Sequence, residues 1–110
     1  MTVSKDYVSQ NVFDALGYTG NVYYCRIVSS RDSQVWNDVL DIMDWVVPWI
    51  DSAMTLVDTN ASGAYPVIIP ALLPAGVYDV VVYRQAGSDP ANTDDVERQW
   101  IETKGGIFGF

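Results

Sequence analysis

Two apolar runs punctuated by Gly and Pro, Gly63-Ala-Tyr-Pro-Val-Ile-Ile-Pro70 and Pro74-Ala-Gly-Val-Tyr-Asp-Val-Val-Val-Tyr-Arg84, constrain the fold more than any other stretch of the chain. Proline and glycine break helices and close turns, while Val, Ile and Tyr suit a pleated, half-buried surface, so the pattern reads as strand, tight connection, strand. From Val77 to Arg84 the β-branched and aromatic residues are nearly continuous, as in a strand buried on both faces, or on one face and by a partner.

The other segments follow the same logic. Val22 to Val28 alternates, placing Tyr23, Cys25 and Ile27 on one face, taken as the core face, and Val22, Tyr24, Arg26 and Val28 on the other. Ser29 to Ser33 is a turn, and Gln34 to Asn37 is a short returning strand that would set Trp36 near Cys25. Trp36, Val39, Leu40, Met43, Val47 and Ile50 recur at helical spacing, but Asn37-Asp38 is turn-like and Pro48 stops or kinks a helix. The reading is therefore a strand through Trp36, a turn, then a helical turn or irregular segment within 41–50, with a helix over 33–47 as the rival. Ala53 to Asp58 and Ala64 to Ile69 flank a hairpin-like loop, and Pro66 requires that its strand lie at an edge or enter the sheet after Pro66. A polar loop over 85–95 precedes a last strand, Val96 to Thr103.

These segments give an all-β domain, a single immunoglobulin-like β-sandwich of about seven short strands. It spans 22–104, after an N-terminal arm over 1–21 that is extended or partly helical, or alternatively an edge strand, and before a Gly-rich apolar tail, 105–110. Tyr78 stands where such folds place a corner tyrosine, two residues before a core position filled here by Val80, with Cys25 and Trp36 as candidates for the facing cysteine and core tryptophan.

Charge and composition exclude several functions. Fourteen acids against six bases give a net charge of −8, which opposes binding to nucleic acid or an anionic membrane. With no histidine, neither a Ser-His-Asp nor a Cys-His nucleophile can be built, and the single Cys25 reads as a buried inert thiol. Asp38, Asp41, Asp44 and Asp51 lack the dense alternation of acids and the turn glycine of a calcium loop, and read as a solvated face. Asp89, Asp94, Asp95 and Glu97 read as a solubilising rim, and no phosphate-cradling glycine loop is present. The chain is expected to be no enzyme and to use no metal or cofactor. Met1-Thr-Val-Ser-Lys-Asp lacks the apolar core of a secretory signal, so synthesis is expected in a cytoplasm.

Several segments resemble one family. Gln34-Val-Trp-Asn37, Ala53-Met-Thr-Leu-Val-Asp58, Gly63-Ala-Tyr65, Ile69-Pro70, Pro74-Ala-Gly-Val-Tyr78 and Val80-Val-Val-Tyr-Arg-Gln-Ala-Gly-Ser-Asp-Pro90, with Asp94, resemble small β-sandwich proteins of tailed bacteriophages and prophages. The likeness covers roughly 22–103 and is densest over 53–94. Asp38 departs from it, standing where that family tends to have Gly, as do the apolar segment 41–50 and the Gly-Gly-Ile-Phe-Gly-Phe110 ending. The resemblance implies a virion structural protein made in the host bacterial cytoplasm. An outer-capsid decoration or cement protein that contacts the major capsid protein, or forms a homo-oligomer or lattice, is the favoured form. The alternatives are a tail or head-to-tail connector component, and a carbohydrate-binding module of a fibre using Trp45, Trp49 and Tyr83. Apolar neighbours of Trp45 and Trp49 favour protein contact over sugar. The expected partner-binding residues are Trp45, Val46, Val47, Trp49, Ile50, Tyr83, Ile107, Phe108 and Phe110.

Overall fold

A computed structural model describes residues 7–14, 21–57 and 64–105. Among them are strands β1 (Tyr7–Asp14), β2 (Val22–Ser29), β3 (Val35–Asn37), β4 (Ile42–Asp44), β5 (Met54–Thr55), β6 (Ala64–Ile69), β7 (Gly76–Gln85) and β8 (Asp95–Lys104), with one helical turn, α1 (Trp49–Ser52). The fold is all-β, and every strand pairing is antiparallel. The larger sheet runs β4-β3-β2-β7-β8 with β5 added beside β2, and the smaller one is β1-β6.

One core joins the two sheets. Tyr23, Cys25 and Ile27 of β2 and Tyr78, Val80 and Val82 of β7 form its floor, while Phe13 of β1 and Val67 and Ile69 of β6 close it from the smaller sheet. Trp36, Leu56 and Leu73 complete it. The core face expected from the alternation of β2 is the observed one. The unbroken apolar run of β7 has the expected cause: Val81 and Tyr83 on its other face are buried too, in a second cluster with Tyr24, Trp49 and Ala53.

Three corner and clamp contacts fix the ends of this sheet. The Tyr78 hydroxyl donates to the Pro74 carbonyl, the backward bond expected of a corner tyrosine. Lys104, at the end of β8, is buried, and its Nζ donates to the carbonyls of Pro70 (2.9 Å), Ala71 (2.6 Å) and Leu73 (2.6 Å). The turn before β3 closes through Ser29 N to Gln34 O at 2.8 Å, with Ser33 at φ 64°.

The strand partners differ from expectation in several places. Because that turn sets Val28 opposite Val35, Cys25 lies beyond the end of β3, and its neighbours are Met54 of β5 and Val82 of β7. Cys25 and Val80 thus belong to one sheet and do not face each other across two; Val80 pairs with Ile27. Nor do β5 and β6 form a hairpin, since β5 joins β2 and β6 joins β1, and the connection 58–63 lies outside the described residues. Pro66 does sit in a two-stranded sheet, where a missing donor is tolerated. Within the stretch read as an arm, Tyr7–Asp14 matches the edge-strand alternative, and Phe13 packs on Tyr23 with ring centroids 4.7 Å apart.

The helical spacing of 36–50 is overridden locally. Asn37 Oδ1 accepts from Val39 N (2.9 Å) and Leu40 N (3.0 Å), and Asp41 takes φ 57°, so the chain turns back into β4. Side-chain capping of this kind competes directly with a helix. Helix appears only after Pro48, whose carbonyl accepts from Asp51 N at 2.9 Å and Ser52 N at 3.2 Å.

Candidate interaction surface

The outer face of the larger sheet carries a constellation that is both aromatic and polar. Opposite each other on β2 and β7, Tyr24 and Tyr83 stack with centroids 5.2 Å apart and planes at 16°. Trp49, brought over them by α1, meets Tyr83 edge-on at 5.3 Å, and its indole N–H donates to the Tyr24 hydroxyl at 3.0 Å. The Arg26 guanidinium lies 3.6 Å above the Trp49 ring, while Arg26 Nε donates to Ser52 Oγ at 2.8 Å. Ser52 Oγ in turn donates to the Trp49 carbonyl at 2.7 Å, so the arginine and the helical turn hold each other in place.

Asp94 anchors the far side of this cluster. Its Oδ2 accepts from the Tyr24 hydroxyl (2.6 Å) and Ala91 N (2.9 Å), and its Oδ1 accepts from Ala86 N (3.0 Å). These bonds favour the charged form and hold the carboxyl below its usual range, the Tyr24 bond contributing most and the two backbone amides next. Burial, reinforced by Asp94, pushes the Tyr24 hydroxyl up to about 12. The expected acidic rim therefore divides: Asp94 is buried and organises the 86–94 loop, whereas Asp95 and Glu97 lie on Arg84 at 2.7 Å and 3.4 Å. Asp38 and Asp44 likewise have local work, accepting from Trp36 Nε1 (3.1 Å) and Trp45 N (2.7 Å). Cys25 is enclosed, and burial pushes its thiol up to about 12, which leaves no thiolate for chemistry near neutrality.

The expected partner-binding residues separate into two groups. Trp45 is 63% exposed, Val46 82% and Ile50 53%, and they follow one another on the outside of the domain. Trp49 and Val47 are half-buried, and Tyr83 is only 9% exposed, its ring covered by Tyr24 and Trp49. Trp45, Trp49 and Tyr83 therefore do not present three open rings to a sugar. Ile107, Phe108 and Phe110 lie outside the described residues. The sequence reading misses Val39, Leu40 and Ile42, which are also exposed. The turn expected after Trp36 from Asn37-Asp38 is the observed one, and it is this turn that leaves Val39 and Leu40 in solvent. From 39 to 50 the chain thus carries six large apolar side chains in solvent: Val39, Leu40, Ile42, Trp45, Val46 and Ile50.

Among the described residues, no helix is long and apolar enough to cross a membrane. In comparisons with known proteins, no protein-family model, curated protein or solved structure matches the chain.

Proposed function

We propose that this chain is a structural subunit of a tailed-phage virion, an outer-capsid decoration or cement protein that acts through protein contacts. The observation that carries the reading is the exposed apolar stretch 39–50 on a domain whose remaining aromatic cluster is internally satisfied. Side chains of that size gain most when a partner removes them from water, at roughly 25 cal/mol per Å² of apolar surface. The major capsid protein is the proposed partner, with Trp45, Val46 and Ile50 as anchors. A charge of −8 suits the outside of a shell better than its DNA-filled interior.

The strand order supports an immunoglobulin-like form of this subunit. In a variable-type immunoglobulin sheet the order is C″-C′-C-F-G, faced by a sheet in which B and E are neighbours. Here β4-β3-β2-β7-β8 is faced by β1-β6, with the corner tyrosine on β7 where strand F would carry it. One departure stands out: β5 occupies the chain position of strand D yet pairs with β2, not with β6.

Quantitative mass spectrometry of particles that carry the protein tests the proposal. Hundreds of copies per particle are expected for a decoration protein; about 6 to 12 would instead follow from the ring symmetry of a tail or connector. Absence from purified particles would overturn the virion reading altogether.

A further inference from the structure

The larger sheet ends on β8, a strand of 10 residues whose ladder, among the described residues, is with β7 alone. The strand at the opposite edge, β4, has 3 residues. A long edge offers a row of backbone donors and acceptors to another strand, and proteins ordinarily blunt such edges with bulges, charge or very short strands. The β7–β8 register skips Glu97, opposing Tyr83 to Val96 and Val82 to Arg98, so a bulge interrupts the start of β8. From Arg98 to Lys104 the ladder is regular. Ile101, 58% exposed, stands in the middle of that reach on the outer face, between the exposed Gln99 and Thr103.

The charges along this reach suit a second copy of the same strand. Arg98, Trp100 and Glu102 lie opposite Val82, Val80 and Tyr78 of β7, so they share the core-side face. They also meet one another there: the Arg98 guanidinium lies 5.3 Å from the centre of the Trp100 ring, and Trp100 Nε1 donates to Glu102 Oε1 at 3.1 Å, as does Ser9 Oγ at 2.5 Å. A two-fold axis perpendicular to the sheet pairs β8 antiparallel with itself, and pleating allows only residues of one face to stand opposite each other. Those two conditions leave registers centred on a single residue. Centred on Trp100, the register sets Arg98 opposite Glu102 of the second copy, twice by symmetry, and Gln99 opposite Ile101. Centred on Ile101 it would oppose Arg98 to Lys104, and centred on Gln99 it would carry Glu102 onto Val96, past the bulge. Charge therefore selects the Trp100 register.

We propose that β8 pairs antiparallel with β8 of a second copy across a two-fold axis at Trp100, joining the larger sheets of two domains into one. Backbone hydrogen bonds supply the attraction, and the two Arg98–Glu102 pairs fix the register. The ladder is short, so the dimer is weak and depends on concentration. Ile42 in β4, with Trp45 just beyond it, belongs to the opposite edge of the sheet. The pairing thus leaves that edge open and does not depend on what the 39–50 stretch binds.

Sedimentation velocity of the full chain tests it, at about 0.15 M salt, where repulsion between two copies of net charge −8 is screened beyond roughly 8 Å. The parent should form a dimer that accumulates as its concentration rises toward about 1 mM, the range of weak association. Arg98→Glu and Glu102→Arg, each alone, set like charges opposite each other and should weaken the dimer by about tenfold or more. Mixed together, the two variants restore opposite charges at both positions and should form a heterodimer of parental strength. A parent that stays monomeric, a single variant that dimerises as well as the parent, or a mixture that does not associate overturns the proposal. Hydrogen exchange of the parent decides the matter even if Glu102→Arg fails to fold. Alternate amides within 98–102 should exchange more slowly as concentration rises, with 42–44 unchanged. Exchange independent of concentration at 98–102, or slowing confined to 42–44, overturns the pairing.

Discussion

The Trp49 indole N–H donates to the Tyr24 hydroxyl at 3.0 Å, and the same hydroxyl donates to Asp94 at 2.6 Å. A helical turn at residue 49 and a loop ending at residue 94 are thereby tied through one buried phenol on β2. This relay makes Trp49 part of the domain, whereas Trp45, four residues earlier, is free for a partner.

The two tryptophans should accordingly behave in opposite ways. Trp49→Ser removes the edge contact to Tyr83, the platform under Arg26 and the bond to Tyr24, and should cost about 3 kcal/mol, the low end for a large aromatic because Trp49 is half-buried. Trp45→Ser should change stability by no more than about 0.5 kcal/mol, as for an exposed side chain, yet weaken attachment to the particle. Urea unfolding and a particle co-sedimentation assay check the pair. Equal destabilisation by both, or full attachment of Trp45→Ser, would remove Trp45 from the contact.

Asp94 gives the fold an acid dependence whose sign follows from its lowered pKa. A carboxyl that binds protons less readily when folded stabilises the domain fully above its unfolded value, near 3.9, and loses that contribution as pH falls through the lower folded value. The stability gap between the parent and Asp94→Asn should be constant from neutrality to about pH 5 and should close below about pH 4. Unfolding midpoints at a series of pH values check it. A gap that persisted at pH 2 would mean that hydrogen bonding alone, without charge, accounts for Asp94.

Tyr78→Phe isolates the corner. The ring stays, the bond to Pro74 goes, and the hydroxyl is the only atom lost, so the expected cost is about 0.5–1.5 kcal/mol, read as a shifted unfolding midpoint. An unchanged midpoint would show that the corner contributes geometry and no stability.

Residues whose role depends on period and local chemistry were legible in advance. The alternation of β2 named Tyr23, Cys25 and Ile27 as core, the run Val77 to Arg84 named a doubly covered strand, and Ala75-Gly-Val-Tyr78 named the corner. Partnering was not legible, because neither period nor composition says which strand lies beside which. The composition of 59–63 suits a hairpin, yet β5 and β6 join different sheets; and although Cys25 and Trp36 were placed on strands, that Cys25 and Val80 share one sheet follows only from β2 lying beside β7. The candidate surface was half legible. Trp45, Val46 and Ile50 stand out by hydrophobicity, but that property alone could not separate them from Trp49 and Tyr83, whose polar atoms and ring faces find partners distant in sequence.

Lys104 is the residue that sequence reasoning was least equipped to find, since a lysine near the end of a strand ordinarily reads as solvated. Its burial is tolerable because the ammonium has three donors and meets three carbonyls, all from the 70–73 turn that links β6 to β7. The clamp joins the end of β8 to the segment between the two sheets, so its loss should loosen both at once. Lys104→Met keeps much of the apolar stem but strands those carbonyls. A charged donor's bonds are worth ~1.5–3 kcal/mol, and a destabilisation in that range or above it is expected. Lys104→Arg should not rescue it, because a planar guanidinium presents its donors in a fork and cannot converge on three carbonyls around one nitrogen. Thermal unfolding of the two variants, with hydrogen exchange of residues 70–76, checks both points. Parental stability in Lys104→Met would show that the three carbonyls are satisfied equally well by water.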